Sequence, residues 1–440
     1  MVIKSAFDTY KRYLNHYAWL ILLMVVGLQT VGSGMRMAFG AFIDPLSETF
    51  GWSQGAIGFA YALQFIVSAL IAPAAGWLSE VYGVRRTLFG AVITFTIGLA
   101  LTGTITELWQ FYLYYGVIMG TALSLFSVSL VTSISYWFKQ HQGLAIGIVM
   151  ASLSAGPAIA APAVTLLISG MGWKQAMLVI AAVGGIFMML MAAKFYSKPA
   201  DLNMNPYGIL ESEPPAPRSN RAVDKARATA FFKSARSTVD FWNLVNIHFL
   251  GCIGHSIIIV YATAMAIHEG IDPVVAAGVV SIFMAISTIT RFLTPVLSEA
   301  FSAKTIMAMS YFLQGVTVFI LLGADSPLHF YSFAIIFAVG YGGEGAVFPI
   351  LNRQYYRDAP IGTVYGWQMF GAGLGMALGG WIGGWLFDIT GTYTWTILVS
   401  AATSLGGAVS ILFLSSPWKH LIPDWEKNMI LPTEAIAHVH

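Results

Sequence analysis

The sequence predicts an all-α membrane protein in which twelve transmembrane helices form two pseudo-symmetric six-helix bundles. First, the 440-residue chain is 57% hydrophobic and only 10% charged, whereas soluble domains carry about 25% charged residues. Second, apolar runs of about twenty residues recur along it, and each is long enough to cross a hydrocarbon core of about 30 Å as a helix. Third, the second half of the chain repeats the first at a constant offset. In so apolar a chain, this combination indicates duplicated halves that meet around a central cavity.

Twelve apolar runs define the predicted spans. They cover residues 17–39, 54–77, 86–105, 109–134, 143–168, 176–197, 241–266, 273–297, 304–323, 328–351, 363–386 and 393–415. Hydropathy falls between Pro199 and Asp240, where Glu213 begins a Glu-Pro-Pro-Ala-Pro run. This composition indicates a solvated linker between the halves.

An offset of 219 residues aligns landmarks in both halves from end to end. The aligned pairs are Leu78-Ser79-Glu80 with Leu297-Ser298-Glu299, Gly51 with Gly270, Tyr136 with Tyr355, Gly143 with Gly362, Gly147 with Gly366, Gly156 with Gly375, and Gly172 with Gly391. A single offset that holds at seven places indicates an internal duplication.

Lys and Arg are strongly biased to one side of the predicted spans. Lys4, Lys11 and Arg12 precede the first span, the linker is basic, and only Lys174 lies in a loop on the other side. Positive loops stay in the cytoplasm, so a multi-pass protein of the inner or plasma membrane with both termini cytoplasmic is predicted.

Its predicted parts are an N-terminal bundle over residues 1–198, a cytoplasmic linker over 199–238, a C-terminal bundle over 239–417 and a cytoplasmic tail over 418–440. The net charge of +2 follows from this bias, and nucleic-acid binding is not predicted.

Three charged residues lie inside predicted spans, namely Arg36, Arg291 and Glu344. A charge at the bilayer centre costs at least about 2.5–3.5 kcal/mol, so each is a candidate for function. Arg291 is expected to bind a substrate carboxylate with its planar fork, and Glu344 to carry a proton. Alternatively, Arg36 snorkels to the interface, and Arg291 and Glu344 form a permanent salt bridge. The repeat mate of Arg36 is His255, so the two polar groups occupy equivalent places in the two halves, and both are candidate substrate ligands.

Polar and aromatic residues are expected to complete the substrate pocket, although aromatic residues at helical spacing also serve packing. The candidates are Tyr112, Tyr115, Tyr261 and Gln368. His248, Cys252 and His255 share one helix face, a spacing that could hold a soft metal. One neutral cavity His and one core His is the simpler explanation, so no metal or cofactor is predicted. No Ser/His/Asp, paired-carboxylate or His-Glu-x-x-His pattern is present, so an enzyme is not expected.

The run after the second span resembles the loop signature of the major facilitator superfamily. It reads Gly76-Trp77-Leu78-Ser79-Glu80-Val81-Tyr82-Gly83-Val84-Arg85-Arg86, with a degenerate copy at Leu297-Ser298-Glu299 and Lys304. The resemblance implies two bundles that rock about a central site. It also implies a conformational latch in which Glu80 joins one bundle to the other through nearby Arg and a helix N-terminus, with Gly76, Gly83, Arg85 and Arg86 as its other members. Alternatively, Arg85 and Arg86 only set topology.

Two stretches resemble the monocarboxylate porter and oxalate–formate antiporter branch of that family. They run from Phe39 to Ser53 and from Tyr136-Trp137-Phe138 to the Gly143–Ile148 segment. The resemblance matches Arg36 and Arg291 to cationic positions of those carriers. Two positions depart from it: Ser287 replaces an Asp of monocarboxylate carriers, and Ala372 replaces a Lys of oxalate exchangers.

The expected function is therefore secondary transport of a small organic monocarboxylate by alternating access. Uptake of one negative charge against about −100 mV costs roughly 2.3 kcal/mol, and a co-transported proton cancels that cost. The expected partners are a small organic anion, a proton and the lipid bilayer, and a monomer is expected. The alternatives are an organic-anion exchanger or exporter, and a non-transporting membrane sensor of the same fold.

Overall fold

A computed structural model describes residues 16–209, 214 and 220–429. Lys4, Lys11 and Arg12, which contributed to the predicted orientation, lie outside these residues, as do Glu213 and the end of the tail. The helices are α1 Tyr17–Met37, α2 Gly40–Phe50, α3 Gln54–Val81, α4 Val84–Thr102, α5 Leu108–Trp137, α6 Gln142–Ala193, α7 Arg221–Ala235, α8 Val239–His268, α9 Pro273–Ala300, α10 Ala303–Gly323, α11 Pro327–Tyr356, α12 Gly362–Thr390 and α13 Thr394–Leu412.

Eleven helices of the described chain are long and apolar enough to cross a membrane, and one of them contains two spans. Helix α6 has 52 residues, which corresponds to about 78 Å at 1.5 Å per residue. Inside it, Gly172 has non-helical dihedral angles, with φ 79° and ψ 159°. The break falls between the fifth and sixth predicted spans, so twelve crossings result and the predicted fold class is confirmed.

Helix ends follow from local sequence signals that recur in both halves. Ser53 and Asp272 cap α3 and α9 by accepting hydrogen bonds from backbone N–H groups of the first turn, as capping residues do. The repeat-related glycines at the turns all have positive φ, which is the backbone conformation that glycine adopts without strain. The values are 69° at Gly51, 80° at Gly270, 79° at Gly172 and 69° at Gly391. The duplication therefore extends to backbone dihedral angles.

Two bundles pack side by side. In the first, α1 packs against α6 and α3 against α5; in the second, α8 packs against α12 and α13, and α9 against α11. The main contacts between the bundles are α3 with α12 and α6 with α9. Within the bundles, Gly156 packs on the backbone of Thr30, and its repeat mate Gly375 packs on Phe249, the mate of Thr30.

The described part of the linker contains a helix that packs on the ends of both bundles. Phe231 of α7 is buried, and its ring lies 5.2 Å from that of Tyr356 and 5.3 Å from that of Trp425. Arg221 places its guanidinium 4.0 Å from the ring centre of Tyr82. This part of the linker is therefore ordered by packing, which its low hydropathy did not predict. We call the end of the bundles that carries α7 the linker side.

Candidate functional site

On the linker side, each bundle places a glutamate at a helix N-terminus of the other bundle. Gly362 donates its N–H to Glu80 Oε1 at 2.5 Å, and the Thr363 hydroxyl donates to Glu80 Oε2 at 2.6 Å. Reciprocally, Gly143 donates its N–H to Glu299 Oε1. Glu299 is the repeat mate of Glu80, and Gly362 is the mate of Gly143. Carboxylates at helix N-termini are stabilised by unpaired N–H groups and by the helix dipole, so each glutamate bonds one bundle to the other.

The same reciprocity holds along the rest of this interface. Lys139 forms an ion pair with Asp358, its own repeat mate 219 positions away, so this pair marks the pseudo-two-fold axis. Gly147 packs on the carbonyl of Phe292, and its mate Gly366 packs on that of Ala72. A Cβ at either glycine would collide with backbone, so the close approach requires glycine there.

The predicted latch residues occupy different parts of this interface. Gly76 packs on the Gly362 carbonyl, and Gly83, at φ 85°, precedes α4. Arg85 instead donates to the Ala193 carbonyl at 2.8 Å inside its own bundle, and Arg86 is exposed. The guanidinium that interacts with Glu80 is Arg353 of the other bundle. Glu80 and the helix N-terminus thus make the contacts that the resemblance implies, whereas Arg85 does not reach across.

These close contacts between bundles all lie in the linker-side halves of α3, α6, α9 and α12. Arg36 lies at the end of α1 opposite the linker side, and its side chain extends toward the middle of the helices, beyond these contacts. Its Nη2 donates to Ser68 Oγ at 3.1 Å, near the midpoint of α3, and its guanidinium lies 4.6 Å from the ring centre of Phe65. Its Nε is buried without a partner. The side chain therefore points toward the middle of the helices, which disagrees with the alternative that it snorkels outward.

Arg291 of the C-terminal bundle lies in the linker-side half of α9. Its guanidinium lies 4.6 Å from the ring centre of Tyr341 on α11, a cation–π distance. Among the ion pairs of the described residues, Arg291 has no carboxylate partner. The alternative of a permanent salt bridge between Arg291 and Glu344 is therefore wrong in this conformation.

Glu344 pairs with a histidine instead. Its Oε2 lies 2.6 Å from His255 Nδ1, and its Oε1 lies 4.0 Å from Cys252 Sγ. The pair is enclosed, since Glu344 is 1% and His255 6% exposed. Met376 Sδ lies 3.0 Å from His255 Nε2, and the Tyr341 ring meets the His255 ring edge-on at 4.9 Å. Tyr341 therefore contacts both Arg291 and the His255–Glu344 pair.

Tyr61 of α3 joins the two cation sites across the bundle boundary. It is close enough to interact electrostatically with both Arg36 and Tyr341, and its ring packs edge-on against Phe65 at 5.1 Å. Sequence reasoning missed Tyr61 and Tyr341. Two signals were available: Tyr61 and Phe65 are four residues apart on one helix face, and Tyr341 precedes Glu344 by three residues.

The other predicted pocket residues make contacts within single bundles. Tyr115 borders Arg36, and its hydroxyl donates to the Met35 carbonyl at 3.5 Å. The remaining three use their polar atoms in internal hydrogen bonds: Tyr112 to the Ala56 carbonyl at 3.0 Å, Tyr261 to the Gly380 carbonyl at 2.7 Å, and Gln368 to Asn352 at 2.8 Å. As substrate ligands these three stay predictions, and their contacts favour structural roles.

Known proteins resemble the chain in sequence and in fold. Residues 24–370 match the family model described as Major Facilitator Superfamily. The MFS-type transporter hasB of Aspergillus fumigatus is 30% identical over 175 residues, a stretch that spans 39% of each protein. Monocarboxylate transporter 13 of Bos taurus is 23% identical, and the match covers 96% of this chain and 94% of the relative. The oxalate:formate antiporter of Oxalobacter formigenes is 22% identical, with 91% and 95% covered.

Among solved structures, the proton:xylose symporter XylE bound to 6-bromo-6-deoxy-D-glucose superposes with a TM-score of 0.74 at 13% identity, covering 94% of this chain and 99% of the symporter. This likeness concerns the fold. The resemblance carried by the Gly76–Arg86 run is confirmed by the family match. The chain therefore belongs to the Major Facilitator Superfamily, and it is a multi-pass secondary transporter of the membrane.

Proposed function

We propose that the protein moves a small organic monocarboxylate together with a proton by alternating access. The observation that carries this proposal is the pair of guanidinium groups, Arg36 and Arg291, which belong to different bundles. Each lies on an aromatic ring, and neither has a carboxylate partner among the ion pairs of the described residues. An incoming carboxylate supplies the missing counter-charge.

The chemistry of the region favours one carboxylate with a small apolar body. Guanidinium groups bind carboxylates in bidentate fashion. The surfaces between the two cations are the half-buried rings of Tyr61, Phe65 and Tyr341, which suit an apolar substrate body better than a second charge. The full-length likeness to a monocarboxylate transporter supports the same substrate class.

The His255–Glu344 pair is the proposed proton carrier. With neutral His255 and ionised Glu344 the pair is anionic, and one added proton makes it neutral overall. Tyr341 lies between the pair and Arg291. An anion bound at Arg291 offsets the positive charge that stabilises the anionic pair, so the free-energy cost of leaving the pair unprotonated rises. Proton and substrate then favour each other's binding, and the coupling is reciprocal. Electroneutral symport also avoids a cost of about 2.3 kcal/mol per charge at 100 mV.

We also propose that the linker side faces the cytoplasm, because Lys and Arg concentrate there. The described conformation is then closed toward the cytoplasm by the reciprocal contacts of Glu80 and Glu299. Opening on that side requires both contacts to separate, which makes the two glutamates the proposed latch of the transport cycle.

Two assays of labelled monocarboxylates in proteoliposomes test the transport proposal, namely uptake driven by an imposed pH gradient and counterflow against internal unlabelled anion. A symporter accumulates the label when a pH gradient is imposed and needs no anion on the far side. An anion exchanger, which the likeness to an oxalate:formate antiporter favours as the second candidate, requires one. A membrane sensor gives no flux in either assay, and that result would contradict the proposal.

Replacing Glu80 by glutamine is expected to weaken closure on the linker side. The variant keeps a hydrogen-bond acceptor but loses the negative charge at the N-terminus of α12. Loss of about 1–2 kcal/mol of stabilisation of the closed conformation raises the population that is open on the linker side roughly 5- to 30-fold. Pulsed EPR between labels at Arg86→Cys and Phe301→Cys, in a Cys252→Ser background, measures this population.

Because the interface is reciprocal, Glu299→Gln is expected to have an effect of similar size, whereas Glu107→Gln, an exposed residue at the opposite end, serves as the control. Unchanged distance distributions in both Glu80→Gln and Glu299→Gln would contradict the latch.

A further inference from the structure

Cys252, His255 and Glu344 bring three metal-ligating side chains to one point inside the C-terminal bundle. Cys252 and His255 lie three residues apart on one face of α8, and Glu344 reaches them from α11. Their sulfur, nitrogen and oxygen ligand atoms all lie within 4.8 Å of one another. All three side chains are buried. We propose that this cluster, which we call the Cys–His–Glu cluster, binds a thiophilic divalent cation such as Zn²⁺.

The distances are close to those of a zinc site. Bonds of about 2.0–2.3 Å at tetrahedral angles place neighbouring ligand atoms about 3.3–3.7 Å apart. Here Sγ and Glu344 Oε1 are 4.0 Å apart, and His255 Nδ1 and Glu344 Oε2 are 2.6 Å apart. Side-chain rotations that move the ligand atoms by about 1 Å therefore convert the cluster into a three-ligand site with one open position.

The neighbours of His255 determine which of its ring nitrogens can bind the cation. His255 Nε2 lies 3.0 Å from Met376 Sδ, and the thioether can accept a hydrogen from this nitrogen when it is protonated. Nδ1 is thus the ring nitrogen that faces Glu344, and its orientation is held by a neighbour outside the cluster, as is usual for metal-binding histidines.

Donor type and charge select the class of cation. A thiolate, an imidazole and a carboxylate suit Zn²⁺ and Cd²⁺, whereas Mg²⁺ and Ca²⁺ require oxygen ligands. One thiolate and one carboxylate neutralise a divalent ion, and a neutral complex is the form that an apolar interior tolerates best.

The test is titration of purified full-length protein with Cd²⁺, monitored by the ultraviolet thiolate-to-cadmium charge-transfer band. Cys252 is the only cysteine of the sequence, so the band has one source. We expect saturation at one Cd²⁺ per chain, displacement by Zn²⁺, and no displacement by Mg²⁺ or Ca²⁺. Glu344→Gln and His255→Gln are expected to weaken binding at least about tenfold, and Cys252→Ser to abolish the band.

His268→Gln is the matched control. His268 lies on the same helix, but it is exposed at the end of α8 and its ring packs on Phe387 at 5.4 Å, outside the Cys–His–Glu cluster, so this variant should bind Cd²⁺ as the parent does. No band in the parent protein overturns the proposal, as does a band whose affinity is unchanged in both Glu344→Gln and His255→Gln. A thermal-stability measurement verifies that each variant is folded. The readout needs no transport, so its failure is distinct from failure of the proposed symport.

Discussion

Arg291→Ala is expected to abolish measurable binding and counterflow of the monocarboxylate. The guanidinium on the Tyr341 ring has no carboxylate partner among the described ion pairs, so the substrate anion would lose its main cationic contact in this bundle. Losing one partner of such a charge-assisted pair costs about 2–5 kcal/mol, which is roughly 30-fold or more in affinity. Ligand-induced thermal stabilisation, followed by counterflow in proteoliposomes, measures the loss.

Two further variants make this result interpretable. Arg291→Lys keeps the charge but loses the planar fork, so an intermediate affinity is expected. Arg357→Ala removes an exposed guanidinium outside the membrane spans and should leave binding unchanged. Full binding by Arg291→Ala would show that the anion site lies elsewhere.

Glu344→Gln is expected to separate transport from the pH gradient. The amide can still hydrogen-bond to His255 but cannot take up a proton. In an electroneutral symporter, a pH difference of one unit drives about tenfold accumulation. The free energy of that pH difference and that of a tenfold concentration ratio are each about 1.4 kcal/mol. The variant should retain counterflow while its accumulation ratio falls to about one. The measurement is uptake of the labelled anion into proteoliposomes with an imposed pH gradient.

Glu269→Gln, which removes an exposed carboxyl at the end of α8, is the control and should accumulate substrate as the parent does. Tenfold accumulation by Glu344→Gln would place the proton on another group. Loss of counterflow together with accumulation would instead indicate that Glu344 is needed for folding or for substrate binding.

Much of the fold could be predicted because its signals are local or periodic. Apolar runs fix the spans, and the repeat of Gly51 at Gly270 and of Gly172 at Gly391 marks turns that the structure confirms through their positive φ. The linker helix α7 was missed because its low hydropathy carries no span signal. Its buried face depends on Tyr356 and Trp425, which lie far from it in sequence.

The site was predicted only in part because its pairings depend on how helices are rotated about their axes. Sequence spacing showed that Arg291 and Glu344 lie inside spans, but not that Glu344 faces α8 and His255. It also showed that Arg36 and His255 are repeat mates. That relation does not reveal that Arg36 reaches Ser68 while His255 meets a carboxylate.

The reciprocal contacts on the linker side have the pattern of a two-fold interface between identical subunits, in which residue i contacts j and j contacts i. Such an interface points to an ancestral homodimer whose two chains later became fused. In a homodimer, a residue on the axis faces its own copy, so a lysine there would meet a lysine. Fusion removed that constraint, and the axis now holds Lys139 against Asp358. The same freedom allowed Arg36 and His255, once a single position, to become a cation in one half and a partner of Glu344 in the other.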